Sequence, residues 1–355
     1  MFAYNPSVPG DKVSRDLKLK PQGSWIARAG AWLDRAAFKP ASLPDDLVTG
    51  IALTPPVVAG LVIFKFPAFE MLLVALAIGA AAQLAVRWLW RHHIPRISSS
   101  PMIAAMLGVA LVGAGAGLVT SVEISLLAVI LECLRARYVP AIRAQAGLLA
   151  YAAVALATRG APNAYLNPAS GKPFGDPIST WYRFFSPESA PIDPIRLYVG
   201  NVPGPVFATS LLAVAIGVAW LAYARRVSLV VLITFLAGGL VAINTFHWDY
   251  MFQLDSGPTW FVAGLVLADR RLLPGSWAVR PALGFFAGLF AIGLRRNGYG
   301  IEAALVTVAV VQAVMAVVAV AFWVASSSME RWRRNRRLAQ REANLRVVKS
   351  ISRAS

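Results

Sequence analysis

The sequence predicts an all-α polytopic membrane protein: about ten transmembrane helices, a 5+5 inverted repeat, and one outer loop rich in proline and aromatic residues. Three observations carry this. The chain is 57% hydrophobic and only 14% charged, with a mean hydropathy of +0.60, more apolar surface than a soluble fold hides. Its apolar runs are divided by basic loops that fall on one side of the count. Finally, Ser256-Gly257-Pro258 opens one apolar run as Ser99-Ser100-Pro101 opens another, with Pro101 and Pro258 157 residues apart. Runs near 121–134 and 145–158 fall where a later pair falls after the same shift, and repeats of this kind place a site between two halves.

Residues 1–45 read as a cytoplasmic N-terminal region. The first part, 1–23, is polar and mixed in charge, without the apolar core of a signal peptide. Ser24 then caps SWIARAGAWLDRAAF, which puts Trp25, Ile26, Ala29, Trp32, Leu33 and Ala36 on one face and Arg28 and Arg35 off it. Two readings fit: a helix in the membrane interface, or one packed on the cytoplasmic loops. The membrane domain, 46–326, reads as spans at 46–64, 68–90, 101–119, 121–136, 144–158, 204–224, 227–246, 257–269, 279–295 and 302–326. Several fall short of the roughly 20 residues of a straight span. Those beside Gly and Pro read as broken or half-spanning helices, which membranes tolerate where they line a site. Thr54-Pro55-Pro56 marks the clearest expected break, because each proline removes a helix hydrogen bond.

Charge sets the orientation. The 34 Lys and Arg against 17 Asp and Glu give +17, and the excess gathers at Arg87–Arg96, Arg135–Arg143, Arg225-Arg226, Arg270–Arg280 and the tail from Arg331. All fall on one side, which places both termini in the cytoplasm of a bacterial-type inner membrane. The tail, 327–355, carries nine Lys or Arg and two acids, suited to anionic lipid headgroups rather than nucleic acid. Across the membrane, loop 159–203 contains eight prolines and the aromatics Tyr165, Trp181, Tyr182, Phe184, Phe185 and Tyr198, a lid resting on helix ends. The single cysteine, Cys133, allows no internal disulfide and no iron–sulfur cluster. His92, His93 and His247 all lie in loops, so no pair of haem ligands is expected, and no nucleotide or zinc motif appears. Glu132, beside Arg135 and Arg137, reads as an ion-pair partner or as a proton carrier.

The stretch from Leu254 to Val308 carries a resemblance. Ser256-Gly257, Asp269 closing that run, Arg280 to Arg295 in the spacing RxxxGxxxGxxxxxxR, and Gly298-Tyr299 occur in that order. They resemble the flavin-carrying membrane subunits of Rnf-type electron-transport complexes and of the sodium-translocating NADH:quinone reductase, with a weaker likeness over about 98–320. The resemblance implies a membrane electron-transfer subunit that binds FMN or riboflavin near the outer face. It also implies other membrane and redox subunits as partners, and coupling to ion transport. The alternative is a channel or transporter of similar architecture without a redox role, or an assembly subunit that has lost its cofactor.

In that family the outer loop carries FMN joined through its phosphate to the threonine of Asp-x-x-Ser-Gly-Ala-Thr. Asp176, Pro177, Ile178 and Ser179 match, but Thr180, Trp181 and Tyr182 stand where Gly, Ala and Thr belong. Non-covalent flavin is therefore expected, with Thr180 the only nearby threonine able to substitute. Gly200, Gly204, Thr209 and Ser210 resemble the family's Gly-rich stretch ending in Glu-Thr-Ser, with Ala208 in place of the acid. The expected flavin set is Asp176, Ser179, Thr180, Gly200, Gly204, Thr209, Ser210, Ser256, Gly257, Arg295 and Tyr299. Glycine lets a flat ring approach backbone, hydroxyls bond its polar edge, and Arg295 offsets phosphate charge. The competing readings are that the glycines only let helices pack and that Arg295 with Arg296 snorkels to the interface. No metal ligand is expected.

Overall fold

In the computed structural model the described residues are 43–89, 100–139, 142–178, 180, 194–274 and 278–325. The expected N-terminal helix, the basic tail, Ser179, Trp181, Tyr182, His92 and His93 lie outside them. The described residues are helical throughout, with isolated bridges but no strand. The helices are α1 (Asp45–Phe64), α2 (Phe66–Leu89), α3 (Pro101–Val109), α4 (Gly117–Tyr138), α5 (Ala146–Ala157) and α6 (Pro194–Val199). They continue as α7 (Leu211–Tyr223), α8 (Leu229–Phe246), α9 (Tyr250–Leu254), α10 (Gly257–Phe261), α11 (Val279–Gly293) and α12 (Glu302–Ala325). Five of them, α1, α2, α4, α8 and α12, are long and apolar enough to cross a membrane. Their outward side chains, such as Val62, Leu73, Val310 and Phe322, are exposed apolar groups suited to lipid.

Local chemistry starts these helices. Ser100 and Ser210 accept from Ile103 N and Ala213 N, capping α3 and α7. Asp45 and Asp46 complement the positive end of α1. That helix runs unbroken through Pro55 and Pro56, contrary to the expected break. The carbonyl that Pro56 deprives of its donor belongs to Ala52, and it lies against Gly217 of α7, where an added Cβ would stand 2.3 Å away. The neighbouring helix therefore covers the gap, as helices in lipid require.

Interruptions occur elsewhere. The expected span 101–119 stops at Val109, residues 110–116 leave the helix, and α4 begins at Gly117. The expected span 204–224 is helical only from Leu211. The two unwound stretches meet: Val206 N donates to Val112 O at 2.8 Å and Phe207 N to Ala110 O at 3.2 Å. Gly113 N and Gly115 N donate to Pro162 O and Ala164 O, so the non-helical backbone is satisfied within the protein. Further along, α10 passes directly into a π-helical turn, Val262–Leu267, whose residues are all buried.

The basic loops share one end of the bundle. Ser228 N donates to Ala268 O, Arg143 to Leu273 O at 2.8 Å, and Ser100 N to Asp46 Oδ1 at 3.1 Å. The opposite end gathers 159–178, 194–209, 246–256 and 294–301, which contain the expected site.

Candidate functional site

The unwound approach to α7 and the start of α10 bring most of the expected residues together. Gly257 lies directly on the 208–209 backbone: an added Cβ would stand 2.2 Å from Thr209 O and 2.5 Å from Ala208 O. Gly200, with φ of +90°, turns against Ser210, where a Cβ would meet the backbone at 2.6 Å. Gly204 faces the Thr209 side chain. Thr209 Oγ1 donates to Pro205 O, while Ser256 Oγ accepts from Thr259 Oγ1 at 2.9 Å. Each of these close approaches is therefore filled by the chain's own atoms.

A small cavity remains between these residues and the short helices α6 and α9. It is lined by Ile178, Leu197, Val202, Phe252 and Ile301 on its apolar side, and by Thr209, Asp255 and Ser256 on its polar side. Its free volume is about 20 Å³, water-sized. Ligand pockets for drug-sized molecules run to about 300 Å³ and above. Burial first, and the nearby Asp249 second, raise the Asp255 carboxyl above its ordinary value.

Arg295 is fully buried. Its guanidinium donates to Gln253 O at 2.8 Å, Gln253 Oε1 at 2.7 Å and Thr259 Oγ1 at 2.7 Å. This geometry excludes snorkelling, since the group points inward, and it commits the fork to protein acceptors rather than to a phosphate. Neighbouring Arg296 lies over the Phe246 ring at 5.1 Å.

Asp176 and Thr180 are buried, with Thr180 N donating to Asp176 O. The Asp176 carboxylate accepts from Ile178 N at 2.9 Å and Ile301 N at 3.3 Å and rests on Gly300, where any Cβ would clash at 2.0 Å. Beside it, Tyr165 donates to Glu302 Oε1 at 3.4 Å. Burial, followed by the neighbouring Tyr151, Glu302 and Asp176, pushes the Tyr165 phenol well above its ordinary range. Tyr299 is exposed and stands apart from the cavity. The surroundings of Asp176 are thus acidic and closed by backbone amides.

The expected flavin set consequently converges in part but does not fit a flavin. Thr209, Ser256 and Gly257 meet at one cavity; Asp176 and Arg295 hold the loops around it; its space is too small for an isoalloxazine ring. A separate open groove of about 400 Å³ lies beside it, walled by Gly115, Asn163, Leu166, Pro173 and Phe174. Sequence reasoning singled out none of those residues, and it missed Gln253, Thr259, Gly300 and Glu302 as partners. Only Glu302 gave a signal, as an acid at a span end.

At the basic end the charges interlock. Arg135 donates to both oxygens of Glu132 and to Ile142 O, so Glu132 is an ion-pair partner. Arg271 binds Asp269 at 2.6 Å and reaches Thr49 Oγ1 at 3.4 Å, while Arg226 pairs with Asp45. Among the described residues no group of three or more His, Cys, Asp or Glu side chains is placed to hold a metal ion. No protein-family model matches the chain, and no curated protein matches it.

Proposed function

We propose that the chain is the membrane subunit of a translocating assembly of the electron-transport kind it resembles, with both termini cytoplasmic in a bacterial-type inner membrane. The observation that carries this is the meeting of two interrupted helices, where 110–113 and 205–207 exchange backbone hydrogen bonds. Non-helical backbone at such depth is tolerated where it lines a path or site, and transporters place it at the interface of two repeats. Helix order supports the two-repeat arrangement. Helices α1 to α5 form one half and α7, α8, α10, α11 and α12 the other, with the broken helices α3 and α10 third in each. In this reading α5, α7 and α10 with its π turn are the short spans of a ten-span bundle.

Two versions of the function separate on redox chemistry. The electron-transfer version, with other redox subunits as partners, places any flavin in the open outer groove, which has ligand-sized volume and the half-exposed Phe174 ring. The version without a redox role, a channel or transporter, is favoured by the closure of the expected flavin residues upon themselves. Purified protein decides between them: a yellow sample with a flavin absorption spectrum supports the first, and a colourless, stable one the second. Any flavin is expected to be non-covalent, so denaturing gels should show no fluorescent band at the protein's mass. A band abolished by Thr180→Ala would reverse that expectation.

A further inference from the structure

We propose that Arg271 is the central cation of a charge lock that closes the basic end of the bundle between its two halves. The inference rests on the translocation reading, because a lock matters only where a path runs between the halves. Arg271 follows α10, in the second half. It is held by Asp269 and reaches Thr49 on α1, in the first half, with Asp46 and Glu132 also contributing to its field. Two further ties cross the same boundary: Arg226 to Asp45, and Arg143 to the carbonyl of Leu273. Burial and the nearby Arg271 lower the Arg226 guanidinium from its ordinary value, while Asp269 opposes that shift, so the two cations share one set of carboxylates. Charges this enclosed are costly to leave uncompensated, so removing one partner loosens the contact rather than merely weakening it. The outer end is closed differently, by Asp176 accepting backbone amides and by Tyr165 on Glu302. One end is thus held by charge pairs and the other by neutral donors, which lets the two ends open independently.

Ser228 supplies a probe, because it is fully buried beside Ala268 and its hydroxyl has no hydrogen-bond partner among the described residues. The full chain carrying Cys133→Ser and Ser228→Cys is purified in detergent and treated with a polar maleimide. Arg271→Ala is expected to raise the labelling rate at least about tenfold, and Arg271→Lys to stay within about threefold of the parent. Ser125→Cys, equally buried but up the α4 helix, is expected to stay slow in the same Arg271→Ala background. Parental labelling at Ser228→Cys overturns the lock, and so does equal opening at Ser125→Cys, which would mean general loosening. Should Arg271→Ala fail to fold, Arg226→Ala takes its place, and a parental rate there overturns the proposal. In proteoliposomes, fast labelling with no ion or solute flux in any variant would leave the lock standing and sink the translocation reading.

Discussion

Gly257→Ala tests whether the glycines at the meeting of α7 and α10 serve packing or a ligand. The added Cβ would stand 2.2 Å from Thr209 O and 2.5 Å from Ala208 O, where ordinary contact begins at 3.4 Å. Both obstacles are backbone carbonyls, which cannot swing aside as a side chain would. Helix α10 must therefore retreat by roughly 1 Å, enough to forfeit up to about half of the dispersion attraction across the contact. Overpacking of this kind costs about 1–3 kcal/mol, and alanine's better helix propensity returns at most about 1 kcal/mol. Sterics win, with a net loss of about 2 kcal/mol and a fall in unfolding temperature of roughly 5 °C. The assay is thermal unfolding in detergent, with Gly50→Ala as control, since its nearest neighbour would be Ile103 Cδ1 at 3.9 Å. The control should match or slightly exceed the parent. An unchanged unfolding temperature for Gly257→Ala, with bound flavin lost, would refute the packing argument and restore the ring-approach reading.

Other expectations follow from the same geometry. Arg295→Ala leaves the Gln253 and Thr259 acceptors buried without their cation, and should cost about 3 kcal/mol or more, seen as a collapse in folded yield. Arg295→Lys should rescue little, because a single ammonium cannot reproduce the fork. Asp255 is raised by burial, so its neutral form is favoured in the folded state. Its contribution is full below the ordinary carboxylate range and is lost as pH rises through the elevated value. Asp255→Asn should therefore raise the unfolding temperature at pH 7 and leave it unchanged near pH 4, and the reverse order would contradict the burial argument. Cysteines introduced at Ser186 and Ser350 should label from opposite sides of the membrane, and labelling from one side would remove the ten-span topology.

The sequence by itself determined the class of this protein, since apolar runs divided by basic loops leave no alternative to helices in lipid. It placed α1, α2, α8 and α12 to within a few residues, because hydropathy and helix length are local properties. The Ser-Pro start of α3 and the Gly-Pro start of α10 were equally legible, as caps depend on neighbouring residues alone. Only the tertiary structure decided where helices stop midway. Residues 110–116 are as apolar as the helix before them, and they unwind because 161–166 and 205–207 supply partners from distant sequence. Pro55 and Pro56 show the converse: a local breaker fails because Gly217 brings α7 against the exposed carbonyl. The expected site shares this division. Gly257, Thr209 and Ser256 do meet, but whether a glycine's empty side receives a ligand or a neighbouring carbonyl depends on what packs there. For Arg295 the same holds: its charge was visible at a span end, while its partners, Gln253 and Thr259, lie 42 and 36 residues away.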